Sequence, residues 1–174
     1  MRIGIFGGSF NPVHEGHVKL AETALEELNL AKVIFVPSAG NPLKAGARHA
    51  VPLLPAPKRL ALLKRAVKGK RGLSVSGFEI RRKPPTYTID TLRHFKKKFR
   101  PADQLYFLAG ADVAKGLKRW KDFGRILKLC RFVVASRPGF HSSRLPKGVI
   151  RLVFEAIPVS STQIRKRLLP SKAN

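Results

Sequence analysis

The sequence is poor in cysteine, acidic side chains and long apolar runs. A single cysteine among 174 residues excludes a disulfide framework and a cysteine-rich zinc module. No apolar run approaches the roughly 20 residues that a transmembrane helix requires. The apolar opening Ile3–Phe6 is followed by glycine and polar residues, so it is too short for a signal peptide. We therefore expect a cytoplasmic protein that does not contact a membrane.

The scarcity of acidic residues leaves a large positive charge. Lys and Arg number 35 and Asp and Glu number 10, which gives a formal charge of +25. The excess is uneven: residues 1–57 hold five basic and four acidic side chains, whereas residues 58–174 hold 30 and six. This charge predicts an anionic partner. The 44% of hydrophobic residues argues against disorder, and the length fits a single domain over residues 1–174.

Short apolar segments alternate along the chain with segments of helical periodicity. Strands are predicted at residues 2–6, 32–36, 73–76, 78–80, 105–109, 132–135 and 149–154. Helices are predicted from about residue 16 to 28, from Pro57 to 67, and at 88–99, 123–129 and 162–169. Residues 37–57 form a proline-rich loop of the kind that often carries function. The alternation predicts an α/β fold, a Rossmann-like doubly wound and mostly parallel sheet with helices on both faces.

The loop after the first strand carries the clearest chemical signal. It reads Gly7-Gly8-Ser9-Phe10-Asn11-Pro12-Val13-His14-Glu15-Gly16-His17. Ligands of open parallel sheets bind at the carboxyl ends of the strands. Glycines there let backbone N–H groups approach a phosphate, and the start of the following helix attracts negative charge. His14 and His17 lie on one side of that first turn, so we expect a phosphate-binding site.

Other phosphate and metal motifs are absent. The chain has neither GxGxxG nor GxxxxGK[ST], and its HEGH is not the HExxH of zinc proteases. Cys130 is distant from the histidines, so a zinc site is not expected, and we interpret this cysteine as a small core residue. Two histidines beside a glycine loop can also form a hydrogen-bonded turn without a catalytic role. The eleven-residue arrangement as a whole favours the functional interpretation.

The loop GGSFNPVHEGH resembles the signature of the nucleotidyltransferase superfamily that carries the HxGH motif. Ser160–Arg165, close to the end of the chain, resembles the SSTxIR motif of the same superfamily. Three further segments resemble nicotinate mononucleotide adenylyltransferases. They are residues 86–92, with Thr86 in place of the usual serine, Gly110-Ala111-Asp112 followed by Trp120, and Arg137-Pro138-Gly139. The resemblance extends from residue 3 to about residue 169.

This resemblance implies transfer of the adenylyl group of ATP to nicotinate mononucleotide, giving deamido-NAD and pyrophosphate in NAD biosynthesis. It implies in-line attack without a covalent enzyme intermediate. Such transfer depends on positioning and on neutralising charge on the phosphate oxygens. The implied cofactor is Mg²⁺, bound mainly through the phosphates of ATP, with no metal site made by the protein alone.

The resemblance also implies individual roles. The catalytic residues would be His14, His17 and Arg165. The ATP-binding residues would be Gly7, Gly8, Ser9, Phe10, His14, His17, Gly110, Asp112, Arg137, Ser161, Thr162 and Arg165. The residues that bind nicotinate mononucleotide would be Asn41, Lys44, Thr86, Tyr87, Thr88 and Trp120. Some have plain structural alternatives: Asp112 and Ser161 could cap helices, and Trp120 could be core packing. Glu79 matches an acidic residue of the family to which we assign no role.

Two other functions stay open. The acceptor could be nicotinamide mononucleotide, phosphopantetheine or glycerol phosphate, because discrimination between such acceptors depends on few contacts. Alternatively, a basic nucleic-acid-binding protein could retain this fold without its chemistry. Phosphate-backbone binding would not require His14, His17 and Arg165, and we expect nucleic acid to bind only nonspecifically, if at all. The sequence does not predict an oligomeric state.

Overall fold

The computed structural model describes residues 1–39, 54–83, 85–136, 145–155, 157–158 and 161–168, with backbone only for residues 112, 114, 115, 118 and 165–168. The strands in this part of the chain are β1 (Arg2–Gly8), β2 (Lys32–Pro37), β3 (Leu73–Val75), β4 (Gln104–Gly110), β5 (Arg131–Ser136) and β6 (Val149–Val153). The helices are α1 (Glu15–Glu27), α2 (Ala56–Ala66), α3 (Thr88–Lys98), α4 (Phe123–Leu129) and α5 (Ser161–Leu168), with a 3₁₀ helix over Ala111–Arg119.

The six strands form one sheet in the order β3-β2-β1-β4-β5-β6, and every pairing is parallel. From β1 the chain runs outward through β2 to β3, then returns to β4 beside β1 and runs outward in the other direction. The strand order thus reverses between β1 and β4, which is the switch point where such sheets bind ligands. Phe6 lies opposite Leu108, so Gly8 and Gly110 lie at the same edge of the sheet.

Successive side chains of each strand point to opposite faces, and both faces are covered. One face packs against α3 and α4 through residues that include Leu92, Phe95 and Ile126. The other face packs against α1 and α2 through residues that include Leu20 and Leu63. Helices on both faces of a parallel sheet confirm the doubly wound fold predicted from the sequence.

Most predicted elements are present, with ends that differ by one or two residues. The strand predicted at 78–80 is wrong, because these residues form a turn in which Arg82 N–H donates to the Glu79 carbonyl at 3.0 Å. The turn brings the Glu79 side chain to hydroxyl donors near α3, which an extended strand would not do. The 3₁₀ helix was not predicted from the sequence. Residues 40–53 of the predicted proline-rich loop lie outside the described residues.

Candidate active site

The glycine loop leaves the carboxyl end of β1 at the switch point. Its two glycines make room for aromatic rings of the core. A Cβ on Gly7 would lie 2.6 Å from Cζ of Phe107, and one on Gly8 would lie 3.0 Å from Cζ of Phe10. A side chain at Gly7 would therefore displace a ring that packs beneath the loop. The glycines at the end of β1 thus serve packing as well as leaving the backbone accessible.

Phe10 anchors the loop from below. Its φ of +44° is uncommon for a residue with a side chain, and its ring is 2% exposed. The ring packs against Phe6, Phe35 and His17, with centroid distances of 5.3, 5.5 and 5.1 Å. This packing holds the loop in a conformation that the backbone would not favour by itself. Phe10 was predicted as an ATP-binding residue; its side chain is core, and contact of its backbone with ATP stays a prediction.

His14 and His17 meet at the start of α1, as their spacing predicts. Their ring centroids are 3.8 Å apart. The backbone N–H of His14 donates to Nδ1 of His17 at 3.2 Å, and the backbone N–H of His17 donates to the His14 carbonyl at 2.9 Å. Since Nδ1 of His17 accepts, its neutral ring carries the proton on Nε2, which remains a donor.

The surroundings of His17 keep it neutral. Burial, followed by the charge of His14, lowers the pKa of His17 to about 3. A neutral imidazole at a helix N-terminus can donate from Nε2 to a phosphate oxygen. Negative charge on a bound triphosphate would raise the pKa again and favour the imidazolium.

The second sequence motif docks on the first. The hydroxyl of Ser161, at the start of α5, donates to the Pro12 carbonyl at 2.9 Å. These two residues are 149 positions apart in the chain. Thr162 is exposed beside it at the same helix end. Two motifs that were recognised separately therefore form one surface, with the N-termini of α1 and α5 both contributing to it.

A buried carboxylate supports the segment that leads into α3. Glu79 is 7% exposed and accepts from the hydroxyls of Thr86 at 2.8 Å and Thr91 at 2.6 Å. Burial raises the pKa of Glu79, and the two threonine hydrogen bonds oppose that shift. The hydroxyl proton of Thr86 is thus committed to Glu79. Contact between Thr86 and an acceptor carboxylate, through its backbone N–H, stays a prediction.

Tyr87 and Trp120 lie on the same side of the sheet. Trp120 follows the 3₁₀ helix and packs edge-on against Phe107 and Phe132, with centroids 5.9 and 5.5 Å away. Tyr87 precedes α3, and Nζ of Lys121 lies 4.4 Å from its ring centroid. Both rings are partly buried against the core on the α3 face. Trp120 is therefore packed as core and still exposes part of its ring.

Of the remaining predicted residues, some are described in full, some by their backbone only, and some lie outside the described residues. Gly110 ends β4 beside Gly8, Thr88 opens α3, and Ser9 follows β1. Asp112 and Arg165 lie in the 3₁₀ helix and in α5, and only their backbones are described. The predictions for Asn41, Lys44 and Arg137 fall outside the described residues.

Sequence reasoning missed three residues that contact this site: Arg59, Lys121, and Glu79 as the support of Thr86. Glu79 could have been found as a lone acidic residue within a basic segment. No pattern in the sequence marks the other two, because Arg59 bonds to backbone carbonyls and Lys121 to a ring face.

Within the described ranges, no three His, Cys, Asp or Glu side chains converge as a metal site would require. In the same ranges, none of the helices has the length and hydropathy needed to cross a membrane.

The site combines a glycine loop at the switch point, two histidines at a helix start and a second helix start docked beside them. This combination is that of a nucleotide-binding transferase. The model of the cytidylyltransferase-like family matches residues 5–167, and the chain belongs to this family. A relative from Thermus thermophilus is 40% identical over 168 residues, covering 97% of this chain and 87% of the relative. One from Clostridium botulinum is 38% identical over 178 residues, covering 96% and 86%. Both are named probable nicotinate-nucleotide adenylyltransferase, which confirms the resemblance drawn from the motifs.

Solved structures support the fold. The nicotinic acid mononucleotide adenylyltransferase of Plasmodium falciparum in complex with NaAD superposes with a TM-score of 0.73, at 20% identity, over 99% of this chain and 86% of that one. The complex of the same enzyme with APC superposes with a TM-score of 0.67, at 18% identity, over 99% and 86%. At these identities the similarity confirms the Rossmann-like architecture.

Proposed function

We propose that this chain transfers the adenylyl group of ATP to nicotinate mononucleotide, releasing pyrophosphate and forming deamido-NAD. Relatives that match nearly the whole chain are named for this activity. The observation that carries the proposal is the hydrogen bond from Ser161 to Pro12, which joins both nucleotidyltransferase motifs into one surface at the switch point. We infer a cytoplasmic location because this chemistry needs ATP.

In the proposed reaction, a phosphate oxygen of the mononucleotide attacks the α-phosphorus of ATP. The bond from that phosphorus to the oxygen bridging to the β-phosphate breaks, and its electron pair leaves with pyrophosphate. The attacking phosphate is already anionic, so no general base has to remove a proton. The protein's part is to align the two substrates and to stabilise charge that moves onto the leaving group.

His17 suits that part of the reaction. Its Nε2–H is a donor in the neutral ring, because Nδ1 accepts from the His14 backbone. We propose that His17 donates from Nε2–H to a triphosphate oxygen. This hydrogen bond would strengthen as negative charge develops on that oxygen. His14, whose ring lies 3.8 Å away, would complete the donor pair. Arg165, Ser161 and Thr162 at the start of α5 would hold the rest of the triphosphate.

The acceptor would lie near Tyr87 and Trp120. A planar pyridine ring packs well against aromatic faces. The ammonium group of Lys121, beside Tyr87, would attract the nicotinate carboxylate and not a neutral amide. Glu79 would keep Thr86 and the start of α3 in place for this contact.

Mg²⁺ would be held mainly by ATP oxygens and water, because this ion retains several waters and binds readily to substrate phosphates. When bound, it neutralises charge on the phosphate oxygens. The residues of this chain would orient the complex and exclude water from it.

The test is pyrophosphate release by the purified protein with ATP and Mg²⁺, offering nicotinate mononucleotide, nicotinamide mononucleotide and phosphopantetheine separately. We expect release with nicotinate mononucleotide, and about a 10²- to 10³-fold lower kcat in His17→Ala. His94→Ala is the matched control, because the ring of His94 packs against Phe78 and Phe95, neither of which is a proposed site residue. Release with a different acceptor would overturn the proposed substrate, and failure with all three from folded protein would overturn the reaction.

A further inference from the structure

Arg59 on α2 is a buried arginine that no motif identified. It is 1% exposed, and each of its three guanidinium nitrogens donates to a backbone carbonyl. Nε donates to the Leu54 carbonyl at 3.0 Å, and the two terminal nitrogens donate to the carbonyls of Ser9 and Ser38, each at 2.7 Å. These acceptors belong to the start of α2, the glycine loop and the end of β2. One side chain therefore holds three separate segments together.

The charge of Arg59 faces backbone carbonyls. None of the ion pairs among the described residues includes it. Burial lowers its pKa, but a guanidinium starts so high that it stays charged. A buried charge is costly unless it is hydrogen-bonded, and here three carbonyl dipoles supply that compensation. The buried guanidinium of Arg59 is thus hydrogen-bonded to backbone carbonyls next to a predicted phosphate site.

The hydrogen bond from Arg59 to the Ser9 carbonyl also fixes the direction of the next backbone N–H, that of Phe10. The peptide that joins Ser9 to Phe10 is planar, so its C=O and N–H point in opposite directions. With the Ser9 carbonyl accepting from Arg59, the Phe10 N–H points away from Arg59. That N–H belongs to the loop predicted to line the phosphates. Arg59 therefore sets the direction of a backbone donor that it does not touch.

Neighbouring bonds close the same network. The Ser38 N–H donates to the Gly8 carbonyl at 2.9 Å, so Arg59 and β1 hold opposite sides of Ser38. The Leu54 N–H donates to Oδ1 of Asn11 at 2.8 Å, so the start of α2 is tied to the loop twice. Residues 8 to 11 are thereby attached to β2 and α2 at both ends.

We propose that Arg59 is a positioning residue that orients the glycine loop for ATP. The kinetic test of this inference rests on the proposed function. The effect of Arg59 on ATP binding can be measured whatever the acceptor is. Arginine is needed because its planar fork presents donors in three directions, whereas a lysine at this position keeps the charge but not the geometry.

The experiment compares Arg59→Lys and Arg59→Met with the wild type, and uses Arg65→Lys and Arg65→Met on the exposed end of α2 as matched controls. Four quantities are measured: the Kd of ATP with Mg²⁺ and no acceptor, the kcat and the KM of pyrophosphate release, and the thermal midpoint. A ¹⁵N-labelled sample adds the shift of the Phe10 amide on addition of ATP. We expect folded Arg59→Lys with kcat/KM lower by about 10²-fold, weaker ATP binding and a reduced Phe10 shift. The Arg65 variants should match the wild type.

Folded Arg59→Lys with ATP affinity and kcat/KM within about twofold of the wild type would overturn the proposal, even if its thermal midpoint fell. Loss of folding in both Arg59 variants would make the residue purely structural and would also overturn it. A wild type that binds ATP but uses none of the acceptors would refute the proposed function alone, and the ATP affinities would still decide the role of Arg59. A wild type that does not bind ATP would refute both.

Discussion

At the scale of single residues, the site contains titratable groups whose burial shifts their pKa values away from the ordinary ones. His17 is neutral because it is partly buried beside a second histidine, and Glu79 is a carboxylate held by two threonine hydroxyls inside the protein. Each group is stabilised by a few specific neighbours. Changes at these positions should therefore affect pH dependence and substrate binding in separable ways.

The stability of the ligand-free protein should fall in acid because of His17. Its folded pKa of about 3 lies below its ordinary value of 6.5. Between these values the unfolded chain binds more protons than the native one, so the stabilising effect is complete above about pH 6.5 and is lost as the pH falls toward 3. Thermal midpoints from pH 7.5 to pH 4.5 should fall less steeply for His17→Gln than for the wild type. Parallel slopes would contradict this assignment.

Glu79 should affect the acceptor more than ATP. Glu79→Ala removes the partner of two buried hydroxyls, which should cost about 2 kcal/mol of unfolding free energy. Because Thr86 then loses its support, the KM for nicotinate mononucleotide should rise by about tenfold while the KM for ATP stays within about twofold. Glu22→Ala, at an exposed carboxylate paired with Lys70, should change neither. Equal rises in the KM values for nicotinate mononucleotide and for ATP would contradict this prediction and show that Glu79 affects the whole site.

Sequence reasoning found the residues whose roles depend on contiguous motifs and missed those defined by distant backbone. The glycine loop and the two histidines act within one short segment, so their spacing predicted their geometry. Arg59 donates to the backbone carbonyls of residues 9, 38 and 54. Every residue has such a carbonyl, so no sequence pattern marks these acceptors. Only the fold reveals such partners.

At the scale of elements, long apolar strands were predicted well because parallel strands buried on both faces are apolar throughout. The short segment 78–80 misled the prediction, since three residues cannot distinguish a strand from a turn whose side chains are partly buried. There the hydrogen bonding of Glu79 decided the conformation. The sequence patterns also could not foresee that α5 would dock on the loop after β1.

The docking of α5 should be needed for ATP binding. Ser161→Ala removes the hydrogen bond to the Pro12 carbonyl, worth about 1 kcal/mol, which corresponds to roughly a fivefold rise in the KM for ATP. The KM for the acceptor should change little. Ser74→Ala, an exposed serine of β3, controls for the substitution itself. An unchanged KM for ATP in Ser161→Ala would show that α5 stays in place without this bond.

At the scale of the whole molecule, basic side chains from separate segments converge beside β3. Arg81 and Lys98 line one groove of about 410 Å³ beside β3, together with Lys32 and Lys64. No ion pair among the described residues neutralises these four cations. The excess charge is thus partly concentrated on a surface whose four cations lie outside both nucleotidyltransferase motifs.

This groove should dominate nonspecific binding to polyanions. The double variant Lys64→Glu with Lys98→Glu should bind a short DNA duplex more weakly, with a log Kd against log salt slope smaller by up to about 2. The control pair Lys128→Glu with Lys147→Glu changes the net charge equally at exposed positions outside the groove. Equal effects of both pairs would mean that net charge alone, rather than this groove, governs such binding.

The hydrogen bond between Ser161 and Pro12 also has a consequence for the time course of synthesis. The two residues are 149 positions apart, so at about 5–20 residues per second a ribosome makes Ser161 roughly 7–30 s after Pro12. Throughout that interval the nascent chain has its histidine loop without the helix that docks on it. A stalled or prematurely terminated chain that ends before α5 would therefore carry the histidine loop without the helix end that completes the proposed nucleotide site.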